Sequence, residues 1–377
     1  MVKDYLPFLK SVLENCVISE ELHQQNEDDK LDRQLLSLAL GSPAICAFRA
    51  LKRHYGNAEQ ECLEAAFNVG LAFIDLFNKP ESIGILDLKY RNEKLDYWQK
   101  VIRYCIDGNL QAVLDEYVYM LKNDCEKAKE VADTICKVVS MRTVNLRVDD
   151  CHSFFKDIDD QEDDQRHNLR CHYAAAFGIN PKSTEASEVR ATNIREAFNS
   201  PFKPFVLATT SIGQEGLDFH WYCRRIIHWN LPHNPIDFEQ REGRINRFRG
   251  KVIRQRVADQ YSSHLPENIY DPWTQLFELA KQARQKARFD CAIVPDWHFE
   301  SDSATEVSIE RIVPLYQFSQ DIGRYNEMLK ILGLYRLTFG QPRQEELAVA
   351  LDETLNEEQK QRLLINLCPL KNTSRSK

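Results

Sequence analysis

The chain has 377 residues, 43% of them hydrophobic and 28% charged. That length and balance predict a folded chain of two or three domains and exclude a disordered one. A net charge of −8 excludes a uniformly basic coat for nucleic acid. The 11 cysteines are odd in number, scattered and without C-x-x-C spacing, which excludes a disulfide frame and reads as reduced thiols. Met1 to Leu13 mixes acid and base without a long apolar run, and no stretch approaches the roughly 18 apolar residues of a membrane span. The expectation is a cytoplasmic chain with no membrane partner.

Residues 1 to 130 read as a helical region. Leu35, Leu36, Leu38 and Leu40 precede a break at Gly41-Ser42-Pro43. Helical spacing resumes over Ala44–His54, with Ile45, Phe48 and Leu51 on one side, and again over Cys62–Phe77 and Lys94–Ile106. Asp107-Gly108-Asn109 is a turn. The pair Asp115-Glu116 has the composition of a magnesium-binding acidic pair, but it lies in AVLDEYVYML, a helix-period segment, and reads as structural.

Val138–Val148 is the first strand-like region, with Val144, Leu146 and Val148 alternating. An acidic loop follows, then a candidate strand over Arg170–Phe177 and a helix over Glu185–Asn199. Phe205–Ala208 is a short apolar run suited to a strand buried on both faces. Thr209, Thr210, Ser211 and Gly213 then form a hydroxyl-rich loop that ends in Glu215-Gly216-Leu217-Asp218. Ile226–Trp229 reads as a further strand. This alternation predicts an α/β fold with a parallel sheet covered by helices.

Asn234-Pro235 supplies an N-cap and a first-turn proline, and Asp237 a carboxylate at the positive end of the dipole. In the predicted helix, Gln240, Arg244 and Arg247 stand at i, i+4 and i+7 on one face, while Phe238, Ile245 and Phe248 pack on another. Guanidiniums a turn apart match the charge that develops on a transferring phosphoryl group. A basic zone runs from Arg224 to Arg256, and such a zone can hold phosphates despite a negative total. Past Gly250 the chain turns helical again. Pro272–Phe289 is amphipathic, and its exposed bases suit either solvent or a nucleic-acid backbone. A short extended piece at Ile309–Leu315 precedes helices over Asp321–Leu337 and Glu345–Leu351. His220, Cys223, His228 and His233 do not have zinc-finger spacing. Trp221, Tyr222 and Trp229 suit base stacking or lobe packing equally.

Gln240-Arg241-Glu242-Gly243-Arg244-Ile245-Asn246-Arg247 resembles motif VI of superfamily-two helicases, and Thr209 through Asp218 resembles motif V. Counted from Ser211 the motif V spacing is one residue tight; counted from Thr210 it fits. Leu231-Pro232-His233-Asn234-Pro235 is similar to a segment of Swi/Snf-like ATPases. The resemblance implies a RecA-like parallel-sheet lobe over residues 131–260, flanked by helical regions over 1–130 and 261–377. It implies Arg244 and Arg247 as arginine fingers, and Gln240, Asp218 and Gly216 as nucleotide-binding. It also implies Thr209, Thr210 and Ser211 as contacts to the nucleic-acid backbone.

No G-x-x-x-x-G-K-[ST] loop occurs, nor a strand carrying a Walker B acid. The chain therefore carries the finger half of a nucleotide site and lacks the cradle half. The expectation is the C-terminal half of an ATP-dependent DNA helicase or translocase, inactive alone. ATP and Mg would be held mainly by a first lobe on another chain or segment. The alternative is a non-catalytic clamp for DNA or protein.

Overall fold

The computed structural model describes residues 27–140, 144–148, 167–171, 185–209, 218–232, 235–266, 269–286, 293–301, 307–315, 320–337, 343–356 and 358–359. The chain divides into two compact units. One comprises Met1–Leu207 with Glu267–Thr274, and the other Ala208–Pro266 with Gln275–Lys377.

The first unit is built on helices. α1 (Glu27–Gly41) ends at Gly41, where a Cβ would run into the side chain and backbone of Ile106. α2 (Pro43–Tyr55) starts with proline after an extended Ser42 and carries Lys52 and Arg53 in its last turn, whose charges suit the negative end of the dipole. α3 (Glu59–Phe77) opens on Glu59 and Glu61 for the converse reason. α4 (Pro80–Lys89) and α5 (Tyr97–Ile106) follow; at the start of α5, Gln99 Oε1 accepts from the Asp96 amide at 2.9 Å. α6 (Asn109–Leu121) begins after Gly108, whose φ of 79° suits glycine. α7 (Ala128–Val139) begins where Glu130 accepts from the amides of Glu126 and Lys127.

These helices enclose one core, with Leu51, Val69, Phe73, Leu114, Tyr117 and Ile135 almost fully buried. Phe202 packs edge-on against Phe73 and Tyr117, at 5.4 and 6.0 Å between centroids. Asp32–Tyr55 contains a window of mean hydropathy 1.4, long and apolar enough to cross a membrane, which corrects the reading of the sequence as free of such a stretch. Ser42 interrupts that window, and Cys46, Ala47, Ala50 and Leu51 within it are buried in the core. Asp115 lies on α6, buried, paired with Arg53 and accepting from Gln111 at 2.7 Å, so this carboxylate serves the helix core.

β1 (Val144–Val148) and β2 (His167–Cys171) pair antiparallel, with Val144 opposite Cys171. The parallel sheet predicted from the alternation is not what forms here. The direction of pairing is set between two segments, and the alternation of elements along the chain does not fix it. α8 (Glu185–Phe198) matches its predicted span, buries Ile194 and Ala197, and pairs Glu196 with Lys137 at 2.6 Å. Phe205–Ala208 is not a strand, and Phe205 and Val206 are 74% and 82% exposed. An apolar run becomes a strand only where a partner accepts its ladder, and no described strand does so here.

The second unit begins with β3 (Arg225–Ile227), α9 (Pro235–Gly243) and α10 (Lys251–Tyr261). α11 (Pro272–Lys286) follows; its residues from Gln275 onward belong to this unit. β4 (Glu310–Ile312), α12 (Asp321–Leu337) and α13 (Gln344–Thr354) complete it. β3 pairs parallel with β4, with Ile226 opposite Arg311 and Ile227 opposite Ile312. Phe238 of α9 is fully buried with Met328 of α12, packed about by Leu231, Val313 and Tyr325. Among the described residues, then, the α/β lobe consists of one parallel pair with helices around it.

Two substitutions test the first unit's packing. A Cβ at Gly70 would lie 2.7 Å from the Ala44 Cβ, so Gly70→Val should lower unfolding stability by about 1–3 kcal/mol. Gly84 has open space, and Gly84→Ala should raise stability by about 1 kcal/mol through helix propensity. Urea titrations of the two variants should move in opposite directions. Burial holds the His54 imidazole down to about 4; Lys122 and Arg53 push the same way, and Asp271 opposes them. The unfolded imidazole takes a proton near 6.5 and the folded one resists until about 4, so this contribution is whole above 6.5 and fades as pH falls. The loss reaches about 2 kcal/mol at pH 5. His54→Gln should flatten the melting-temperature profile between pH 7 and 5.

Candidate functional site

α9 starts at Pro235, as the capping pattern predicts, and carries Phe238 inward. The His228 ring, immediately after β3, lies flat on Phe238 at 4.0 Å between centroids and 15° between planes. On the same ring lies the guanidinium of Arg311, 4.4 Å from the centroid. Glu242, one turn past Phe238, receives Arg311 through both oxygens, at 2.5 and 2.6 Å, and stands 3.4 Å from His228 Nε2. Burial pushes the Glu242 carboxyl up, but the bonds from His228 and Arg311 outweigh it and hold it below its ordinary range. The same pairing raises the Arg311 guanidinium further above its already high value.

α9 carries Gln240, exposed, and stops at Gly243. Arg244 and Arg247 therefore do not continue the helical face that their spacing predicts. They sit in the turns that follow, because Glu242 O accepts from the amides of both Ile245 (3.0 Å) and Asn246 (3.2 Å), and Arg247 O accepts from Gly250 at 2.9 Å. Ile245 is buried and anchors the turn. Arg249 adopts φ 48°, a region unfavourable for a side chain with a Cβ, and Asp296 holds it there. Asp296 O accepts the Arg249 amide at 2.7 Å, and its carboxylate accepts Nε at 2.6 Å.

The end of the hydroxyl loop runs beside this turn. Phe219 N donates to Arg244 O and Lys251 N to His220 O, each at 3.0 Å. Asp218 Oδ1 lies 3.1 Å from Arg247 Nε, which also donates to Gly243 O at 3.2 Å. Burial brings the His220 imidazole down to about 4, with Arg254 and Arg247 pushing the same way against Asp218 and a backbone bond with Phe248. His220 is therefore neutral at pH 7. Arg244 Nε is buried, and no acceptor among the described residues reaches it.

The fold thus brings Asp218, Arg244 and Arg247 together and leaves Gln240 on the preceding helix. Thr209 is exposed, while Thr210, Ser211 and Gly216 lie outside the described residues. Most of the predicted basic zone is engaged within the protein. Arg224 and Arg225 pair with Glu310, and Arg241 donates to Asn230 O at 3.1 Å. Arg256 donates to Val307 O and Phe299 O, and Arg284, farther along on α11, to Val294 O. Arg254 is fully buried; it lies over Tyr222 and donates to Arg249 O at 2.7 Å and to Trp221 O. Sequence reasoning passed over Glu242 and Arg311. The signal for Glu242 was a lone carboxylate between the arginines of that segment. Arg311 offered none, because its partner stands far back in the chain. Among the described residues, no group of three His, Cys, Asp or Glu side chains could hold a metal ion.

Residues 161–249 match the family model of the helicase conserved C-terminal domain, a RecA-like lobe. The match covers a minority of the chain and ends within the turn that carries the arginines. No curated protein matches the chain, and no solved structure does.

The two kinds of arginine should separate on denaturation. Arg254→Ala empties a fully buried side-chain site and leaves the Arg249 and Trp221 carbonyls without their donor, and should cost about 3 kcal/mol in urea unfolding. Arg244→Ala should stay within about 1 kcal/mol of the parent.

Proposed function

We propose that this chain supplies the C-terminal, finger-bearing half of an ATP-dependent DNA translocase of the Swi/Snf-like class, acting in the cytoplasm. The cradle for the triphosphate and Mg would come from a first lobe on another chain or segment. The observation that carries this reading is the meeting of two motif-like segments beside one turn. The amide that follows Asp218 is bonded to Arg244 O, and the Asp218 carboxylate is paired with Arg247. The helicase-domain match over 161–249 supports it.

The residues fit a phosphate. Arg244 has a buried Nε with no acceptor among the described residues, so an incoming anionic oxygen would satisfy a donor that burial has already desolvated. Arg247 is 38% exposed and its partner Asp218 45%, and a pair that open to water is worth only about 0–1 kcal/mol. A phosphate oxygen can therefore take Arg247 over at little cost. ATP bound at such a site supplies the phosphoryl group transferred to water. In this reading Arg244 and Arg247 neutralise charge developing on it, Gln240 lines the cleft, and Asp218 with Gly216 orients the nucleotide. Thr209, Thr210 and Ser211 then face the DNA backbone.

The test is DNA-stimulated ATP hydrolysis by this chain alone and mixed with the product of the neighbouring upstream reading frame. The expected result is no turnover alone and turnover in the mixture. Arg244→Ala and Arg247→Ala should each lower that turnover by about 10³–10⁵ while leaving DNA binding in place. Unchanged turnover in both variants would remove the finger assignment. No turnover in either sample, with DNA binding retained, would favour the clamp.

A further inference from the structure

β4 and its Arg311 lie beyond residue 249, where the helicase-domain match stops. We propose that Arg311 and Glu242 are positioning residues for the turn that carries Arg244, so that β4 is a working part of the nucleotide site. The proposal rests on the reading of Arg244 and Arg247 as fingers.

Glu242 joins two tasks in one residue. Its backbone oxygen accepts from Ile245 and Asn246 and so sets the path of the turn. Its carboxylate is gripped by the Arg311 fork and approached by His228. Whatever fixes Glu242 fixes the origin of the turn, and Arg244 follows it by two residues. Arg311 is itself fixed from two sides. Its strand is laddered to β3, where His228 N donates to Ile312 O at 2.9 Å and Glu310 N to Arg224 O at 2.9 Å. Its guanidinium also rests on the buried ring of Phe238. A planar fork on a rigid strand determines both position and angle of a carboxylate, which a lysine ammonium does not.

The clamp sits at the rim of its core, not inside it. The side chains of Arg311 and Glu242 are 31% and 21% exposed, while the cluster below them, Phe238 with Met328, Leu231, Val313 and Tyr325, is largely apolar. Loss of the clamp should therefore loosen the turn and leave that cluster assembled. The arrangement calls for a displacement of Arg244 rather than for unfolding, and an arginine finger displaced by about 1 Å loses about a hundredfold in rate.

The experiment uses the full chain. Hydrogen exchange followed by mass spectrometry is read on peptides covering 244–250 and on α10 and α12, for the parent, Arg311→Lys, Arg311→Gln and Glu242→Gln. ATP turnover is then read in the mixture with the first-lobe chain. Exchange over 244–250 should rise about tenfold in Arg311→Gln and less in Arg311→Lys, with α10 and α12 unchanged. In the mixture kcat should fall about a hundredfold, with KM for ATP within about threefold, and Arg311→Lys should restore part of it. Unchanged exchange over 244–250 overturns the proposal. A uniform rise across α10 and α12 also overturns it, since Arg311 would then be structural only. Absence of turnover in the parent mixture overturns the finger reading on which the proposal stands, while the exchange comparison still decides whether Arg311 fixes the turn.

Discussion

A carboxylate beside an aromatic core must be satisfied where it lies, and Glu242 is held from two elements at once. Arg311 reaches it from β4 and His228 from the end of β3, and both of these rings or planes rest on Phe238. A pair of this kind gives little net stability, because desolvation consumes most of the attraction. It does select one geometry: a fork and a carboxylate satisfy each other in few orientations. The packing of α9 on the sheet, the end of that helix and the path of the following turn all refer to this one contact.

The same economy explains why a chain of net charge −8 carries so many arginines over a short stretch. Guanidiniums are held by Glu310 and Asp296, and others cap carbonyls left open by turns, as Arg254 and Arg256 do. In a unit whose described strands are only three residues long, backbone oxygens lack ladder partners, and a five-donor side chain can satisfy several. Arg244 differs from these neighbours in having a buried Nε that nothing described accepts from. Arg284 Nε is buried without a described acceptor as well, so what separates Arg244 from it is its place in the turn beside Asp218 and Arg247.

Much of the helical architecture was legible, because periodicity and caps are local. α8, α9 and α12 start within a residue or so of where Glu185, Pro235 and Asp321 place them. The end of α9 was less so. Gln240, Arg244 and Arg247 have perfect helical spacing, yet Gly243 and the double acceptance at Glu242 O end the helix between them. Spacing says which residues would share a face if the helix continued, and does not say that it continues. The sheet was read least well. Phe205–Ala208 has strand composition without a described partner, and β1 pairs antiparallel with β2, because pairing is decided between segments and not within one. Arg311 was invisible for the same reason.

The pairing of β3 with β4 also fixes an order in time. Arg225 and Glu310 are 85 residues apart in the chain, and everything between them is synthesised before the second strand exists. At about 5–20 residues per second, β3 and the arginine turn wait on the order of ten seconds for their neighbour. Through that interval Phe238 has neither Arg311 above it nor Met328 against it, and Glu242 has no guanidinium. A nascent lobe of this kind exposes an aromatic side chain and an unpaired strand edge, the features that chaperones bind. A later part of the second unit thus closes its beginning.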